Sequence, residues 1–360
     1  MATPDPTRPA SAHEAVLAAH EWFEHNSGWA PPDDQTLAEW LADGVCRCPD
    51  ECLVGPREWC EHGLASWWLI LRAIDEQAVL AHFGIGPDAL LGEGGEARVF
   101  ALDDDRVLRL PHPGTPVAAL DSRGALLSCV AGAGTVAVPE VLEHRTVADR
   151  VVVVERRLPG DCALDVLGRP GTHREALVRH HLEVAASVAS LPCPTDRFGE
   201  IWGASAITAP SFVEWSTARL GASLGRAGDR SAHVEAERVT DDLIAALPVP
   251  DPASPVLVHL DAYLGNMLAE GDHITALLDF GAVTIGGVAD LDALAAVAYL
   301  APEITPTATP ADSGVARAWA AGRGLGDAVG PAERWLAAYW TFALDDLALQ
   351  RWCARILGSA

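Results

Sequence analysis

The residues with the clearest chemistry lie late in the chain: His259-Leu260-Asp261-Ala262-Tyr263-Leu264-Gly265-Asn266, followed closely by Asp279-Phe280-Gly281. Moving a phosphoryl group onto a hydroxyl needs a carboxylate to take the hydroxyl proton, and oxygen ligands for a Mg2+ that bridges the nucleotide phosphates. In this string Asp261 is the candidate base, Asn266 returns at the end of the loop as one metal ligand, and Asp279 supplies a second, charged one. Taken singly, these residues are ordinary turn formers that bond their own backbone. Their order and their placement around short β-prone runs give the set its specificity. His259 is grouped with Asp261 as a catalytic candidate, in the role of a brace that holds the loop by hydrogen bonding.

The elements that must position these groups can be read around them. Residues 256–258 form a short strand entering the loop, and 267–269 with 274–278 form a hairpin turned at Gly271-Asp272. The rest of the chain beyond residue 160 reads as helix, over 173–191, 211–224, 231–247, 290–300, 311–321 and 331–353. Asp290 and Asp292 follow the Asp279 loop and are candidates to sit near the site, while as acids in the first turn of a helix they are equally accounted for by the helix dipole. Trp202, Glu214 and Trp215 lie on segments that could line an acceptor pocket, with Trp215 at core spacing from Phe212.

Upstream, Leu91-Gly92-Glu93-Gly94-Gly95-Glu96 sets three glycines in a turn, where backbone N–H groups can approach phosphates closely. Runs 97–102 and 106–110 form a hairpin over three consecutive aspartates, and its second strand carries Arg109 in an otherwise apolar stretch. Arg109 is a candidate for neutralising the α and β phosphates; the alternative is an edge-strand arginine facing water. A helix over 117–130 and strands at 136–142 and 151–154 complete a small antiparallel sheet with one helix.

From about residue 90 to the C-terminus, these motifs resemble the aminoglycoside phosphotransferase and choline kinase family, relatives of the protein kinases. The resemblance implies an α+β, two-lobed protein-kinase-like fold, with a five-stranded first lobe, a mainly helical second lobe and a nucleotide in the cleft between them. It implies ATP or GTP as co-substrate, Mg2+ as cofactor, and a hinge at residues 155–158 whose backbone holds the base, so that Glu155 and Arg157 join Gly92, Gly94, Gly95 and Arg109 as nucleotide-binding candidates. The family often has lysine where Arg109 stands, paired with a glutamate of the first lobe's helix. Here Asp121, Glu140 and Glu143 are the acids available for that pairing, and Arg123 lies near the expected position.

The block before residue 86 resembles no family. It contains helices at 13–25, 35–43 and 64–83, and between them Cys46-Arg47-Cys48-Pro49-Asp50-Glu51-Cys52 and Cys60-Glu61-His62. Cys46, Cys48, Cys52 and Cys60 can satisfy a tetrahedral Zn2+; reduced buried or redox-active thiols and an iron–sulfur cluster are the other readings, and His62 is a replacement for one thiolate or a cap for the following helix. The expected domains are a tail at 1–10, a helical Cys-rich module at 11–86, a nucleotide-binding lobe at 87–158 and a helical lobe at 159–360.

The formal net charge of −25 argues against nucleic acid and anionic membranes as partners, which need a surplus of Lys and Arg. It suits a cationic, hydroxyl-bearing small substrate, and equally a solvated acidic surface. No apolar run is long enough to span a bilayer and no secretion signal is recognisable, so the expected location is cytoplasmic. The expectation is thus a small-molecule kinase; the competing reading is a kinase-fold binding or regulatory protein with weak or no catalysis and a metal-binding N-terminal module.

Overall fold

A computed structural model describes residues 12–26, 31–112, 115–148, 150–203, 206–231, 233–249, 253–344 and 346–358. The expected tail at 1–10 lies outside the described residues. Packing divides the chain at 115/116, 141/142 and 155/156 rather than at 86 and 158, giving an N-terminal unit (up to Thr115, plus Leu142–Glu155) and a C-terminal unit (Pro116–Val141 and from Arg156 onward).

The N-terminal unit begins with helices α1 (Ala12–His25) and α2 (Asp34–Ala42), two-residue strands β1 (Cys46–Arg47) and β2 (Leu53–Val54), and helix α3 (Trp67–Phe83). Asp33 caps α2 by accepting from the Thr36 N–H at 2.7 Å, and Ser66 caps α3 by accepting from Leu69 N–H at 3.2 Å. Such side-chain acceptors satisfy N–H groups that have no partner inside the helix. The expected start of α3 at residue 64 moves to Trp67 because Ala65 pairs with Trp59 in a β-bridge. Gly84, at φ 68, ends the helix in a left-handed conformation, which glycine adopts without steric cost.

Strands β3 (Leu90–Glu93), β4 (Ala97–Ala101), β5 (Arg106–Pro111), β6 (Val141–Val147) and β7 (Arg150–Arg156) form one sheet in the order β3-β4-β5-β7-β6. Val79 and Leu80 of α3 are buried with Phe100, Leu108, Leu110, Val152 and Val154 of this sheet. The other end of α3 packs Trp67 and Ile70 against Ala15 and Ala19 of α1. One helix therefore carries both the cysteine hairpins and the sheet, which is why residue 86 is not a boundary in the packing.

In the C-terminal unit, helix α4 (Val117–Val130) matches its predicted span, but Leu126, Leu127 and Val130 belong to this unit's core. Strand β8 (Asp161–Cys162) pairs with β12 (Met267–Glu270), which pairs in turn with β13 (His273–Leu277). A second sheet has the order β10-β9-β14-β11, from Thr208–Ala209, Phe198–Glu200, Ile285–Gly287 and Val256–Val258. Around them lie α5 (Ala163–Gly168), α6 (Arg174–Ser187), α7 (Phe212–Ala227), α8 (Ala236–Ala246), α9 (Leu291–Ala298), α10 (Pro310–Gly322), α11 (Val329–Trp340) and α12 (Leu347–Leu357). The single helix expected over 331–353 is two: Asp346 caps α12, accepting from the N–H groups of Ala348 and Leu349 at 3.0 and 2.9 Å. Trp215 is fully buried beside Trp335 and Tyr339 and so belongs to the core.

Gly160 is a position where only glycine fits. Its φ is 108, and a Cβ there would stand 2.9 Å from both Ala269 O and Thr275 Oγ1. Thr275 Oγ1 also donates to Pro159 O at 2.8 Å, so the chain leaving β7 is pinned to the β12–β13 hairpin.

Among the described residues, no helix is long and apolar enough to cross a membrane.

Candidate active site

Strand β11 delivers the chain into the loop of residues 259–266, and β12 and β13 carry it on to Asp279. Three left-handed, non-glycine residues mark this path: Leu260 at φ 64, Asp279 at φ 54 and Asp290 at φ 66. For leucine such a backbone is an outlier costing about 1–3 kcal/mol, and it persists only where its surroundings fix it.

The surroundings are explicit. Asp292, at the start of α9, accepts from the His259 N–H through Oδ2 at 2.8 Å and from the Leu260 N–H through Oδ1 at 2.7 Å. The Leu260 carbonyl accepts from Tyr299 Oη at 2.7 Å, and Tyr299 Oη accepts from Trp340 Nε1 at 2.7 Å. His181 Nε2 donates to Ala262 O at 2.9 Å. The His259 and Leu260 N–H groups and the Leu260 and Ala262 carbonyls are thereby tied to side chains of α6, of α9 and of Tyr299 at its C-terminal end.

His259 is fully buried. Its Nε2–H donates to Leu278 O at 2.8 Å, which leaves Nδ1 to accept from the Asp261 N–H at 3.3 Å. Both nitrogens are committed and burial lowers the imidazole pKa, so the ring ties the Asp261 N–H to the segment after β13 that leads to Asp279. Phe280 closes the ring's other side, edge to face at 4.6 Å.

Asn266 bridges the two halves of the loop. Its Nδ2 donates to the Asp261 carboxylate at 2.9 Å and to the Asp261 carbonyl at 3.0 Å, while its own backbone carbonyl accepts from Leu278 N–H at 2.7 Å. With Nδ2 occupied, Oδ1 is the atom of this amide that can ligate a cation. Asn266 Oδ1 and the Asp279 carboxylate are hard oxygen donors of the kind Mg2+ takes, and the left-handed backbone of Asp279 is consistent with a residue held for a task rather than for local comfort. The residues present therefore fit the metal.

Burial shapes the remaining titrations. It pushes the Asp292 carboxyl up to about 7, against the two N–H bonds that pull it down. It lowers His181 to about 4 and raises the phenols of Tyr263 and Tyr299 above their ordinary range.

In the N-terminal unit, Gly92, Gly94 and Gly95 have ordinary negative φ, and a Cβ at each would meet nothing within 4 Å. Neither backbone strain nor internal packing asks for glycine there. Arg109 is buried on β5 with Nη2 3.4 Å from Glu96 Oε2, so it is not an edge arginine facing water. Glu140 pairs with Arg156 at 2.6 Å, and Glu143 pairs with Arg145. Glu155 is buried and Arg157 exposed.

Of the four cysteines singled out by spacing, Cys48, Cys52 and Cys60 come together, their Sγ atoms all within 4.8 Å of one another. Cys46 does not join them: it is buried against α1 and α3, with its Sγ directed at Arg47 O, 3.6 Å away. Cys48 lies past the end of β1, in the turn leading to β2, so its side chain is directed by that turn and not by the strand that holds Cys46. Tyr299 and His181, which hold the loop, were not singled out by spacing, and Asp292 was singled out only as a helix acid near the site; their partners lie tens of residues away.

The family model described as "Phosphotransferase enzyme family" matches residues 89–339. The chain belongs to this phosphotransferase family. Among solved structures, it is similar to a thermostable mutant of aminoglycoside phosphotransferase APH(4)-Ia in ternary complex with ADP and hygromycin B, at 20% identity and TM-score 0.53 over 78% of this chain and 97% of that one. It is also similar to aminoglycoside phosphotransferase APH(2'')-Ib bound to ADP (13% identity, TM-score 0.51, 80% and 97% covered) and to aminoglycoside 2'-phosphotransferase-IIIa in complex with GDP (17%, 0.51, 80% and 95%). These likenesses establish the two-lobed kinase-like fold. A search of curated protein sequences finds no match.

Proposed function

We propose that this phosphotransferase moves the γ-phosphoryl group of ATP or GTP to a hydroxyl of a small, cationic molecule. Asp261 takes the hydroxyl proton as the substrate oxygen bonds to phosphorus and the bond to the departing nucleoside diphosphate breaks. Bound Mg2+ would be held by Asn266 and Asp279 and would offset the charge building on the phosphate oxygens. His259, Asp292 and Asn266 orient Asp261, while Gly92, Gly94, Gly95 and Arg109 are assigned to the phosphates and the backbone around Glu155 and Arg157 to the base.

The observation that carries this reading is the Asn266–Asp261 clamp on a loop whose strained Leu260 is fixed from both its N–H and its carbonyl. Such support is spent on geometry rather than on stability, and geometry within about 1 Å is what in-line transfer requires. It argues for a working loop over a regulatory relic. The acidic chain and the hygromycin B bound in one solved relative support a cationic acceptor. The test is transfer of a labelled γ-phosphate from ATP and from GTP to a panel of cationic and neutral hydroxyl compounds, with and without Mg2+. Phosphorylated product from a cationic compound only in the presence of Mg2+ is expected; nucleotide binding with no product anywhere on the panel would support the regulatory reading instead.

A further inference from the structure

Two short hairpins in the N-terminal unit carry metal-ligating side chains that phosphoryl transfer does not use. In the first, β1 and β2 pair through Cys46↔Val54 and Arg47↔Leu53. The turn between them is closed by Cys48 N–H to Cys52 O at 3.1 Å and Glu51 N–H to Cys48 O at 3.0 Å, with Glu51 at φ 58. In the second, the Trp59↔Ala65 bridge encloses a turn closed by Cys60 N–H to Leu64 O at 2.8 Å and Gly63 N–H to Cys60 O at 3.0 Å, with Gly63 at φ 78. Each tight turn presents its first cysteine to the other, and Cys52 completes a group of three thiols within 4.8 Å. A tetrahedral zinc with Zn–S bonds of about 2.3 Å places its sulfurs about 3.8 Å apart, so small rotations about χ1 suffice. His62 Nδ1 already stands 3.4 Å from Cys52 Sγ, and 2.8 Å from Asp50 Oδ2.

We propose that these hairpins form a structural Zn2+ site, with Cys48, Cys52 and Cys60 as thiolate ligands and His62 as the fourth. On binding, the three thiols release their protons to solvent and the imidazole stays neutral. Three grouped thiols favour this over a disulfide, which would use two and strand the third. A histidine at the fourth corner favours zinc over an all-cysteine iron–sulfur cluster. The apolar cluster around the thiols is small, comprising Leu64 with partly buried Ala18, Trp22 and Val54, and a module with so little to bury gains folding energy from a metal.

The site also has a route to the glycine-rich turn. Directly after the second hairpin, Ser66 ties the start of α3 to the hairpins, its Oγ donating to Pro56 O at 2.5 Å. One turn on, Arg72 donates to His112 Nδ1 at 2.5 Å, and His112 Nε2–H donates to Gly94 O at 2.9 Å. Glu76 pairs with Arg98, whose Nε lies 3.2 Å from Glu93 Oε2. The zinc hairpins thus seat the helix whose side chains hold both sides of the phosphate turn, a consequence that rests on the phosphotransferase reading.

The full chain, purified reduced without chelator, should hold one zinc per chain by elemental analysis. Co2+ in its place should give the intense ligand-field and thiolate charge-transfer bands of a tetrahedral sulfur-rich site. Cys48→Ser and Cys60→Ser should lose the metal, Cys46→Ser should keep it, and His62→Ala should yield it to a chelator at least about tenfold more readily. If the serine variants do not fold, the Co2+ spectrum of the wild-type chain decides. A metal-free chain that gives no such bands with Co2+, or a Cys46→Ser variant as depleted as Cys48→Ser, overturns the site. Removing zinc should weaken nucleotide binding severalfold by equilibrium titration, a readout that needs no acceptor; unchanged nucleotide affinity in a metal-stripped, folded chain overturns the link through α3 while the metal analysis stands on its own.

Discussion

Replacing Asp292 with asparagine separates what this residue does for the fold from what it does for Asp261. The carboxylate accepts two consecutive N–H groups, from His259 and Leu260. The amide can accept only one and turns its NH2 toward the other. The loss is one charge-assisted bond, about 1.5–3 kcal/mol, and one buried N–H left unpaired, about 1–3 kcal/mol. Against this, the wild type buries a carboxyl raised from 3.8 to about 7, which at pH 8 costs about 4 kcal/mol at about 1.4 kcal/mol per tenfold. That cost is what remains after both N–H bonds to the charged form are counted, so losing one of them does not offset it, and Asp292→Asn should unfold in urea no more easily than wild type near pH 8. Turnover should nonetheless fall about a hundredfold, because a loop containing left-handed Leu260 relaxes by about 1 Å without its anchor. The pH dependence checks the sign. A folded pKa above the unfolded one gives a contribution present below pH 3.8 and lost as pH rises through about 7; the asparagine has none, so the variant should gain about 2–3 kcal/mol on wild type between pH 5 and 8. Wild-type turnover in a folded Asp292→Asn, or a stability difference that does not change with pH, would refute the reasoning.

Two other perturbations have defined outcomes. Gly160→Ala puts a Cβ 2.9 Å from backbone at φ 108 and should destabilise the chain by at least about 1–3 kcal/mol in urea, whereas Gly92→Ala, with open space around it, should leave stability unchanged. His181, lowered from 6.5 to about 4 by burial, contributes stability that is present above pH 6.5 and lost as pH falls through about 4. His181→Phe should therefore flatten the acid limb of the stability profile by about 3 kcal/mol, and an unchanged limb would remove His181 as its source.

The strand, loop and hairpin that carry the proposed base Asp261 and the proposed ligands Asn266 and Asp279 were legible because their order is local: they need only a strand before and a hairpin between. What holds them was not legible. Asp292 reads as a first-turn helix acid until β11 and α9 bring it beneath the loop, and nothing within its own neighbourhood reports the His259 and Leu260 N–H groups. Helix α4 was placed residue by residue, yet its packing with the C-terminal core depends on contacts with residues far along the chain. Strands β9, β10 and β14 are two or three residues long, with glycine in β9 and β14, and are too short for an alternating pattern to show. The cysteines were legible as a cluster, but which of them meet depends on two turns, at 48–52 and 60–63, whose conformation spacing does not report; they gather Cys48, Cys52 and Cys60 and leave Cys46 buried against α1 and α3.

The central claim, that Asp261 accepts the proton during phosphoryl transfer, is tested most directly by measuring Mg2+-dependent γ-phosphate transfer in Asp261→Asn beside its thermal unfolding. Asparagine keeps the shape and an acceptor for Asn266 Nδ2 but cannot take a proton. The expected result is a loss of about 10²- to 10⁴-fold in turnover with unfolding near that of wild type. Turnover at the wild-type level in a folded Asp261→Asn chain would contradict the account.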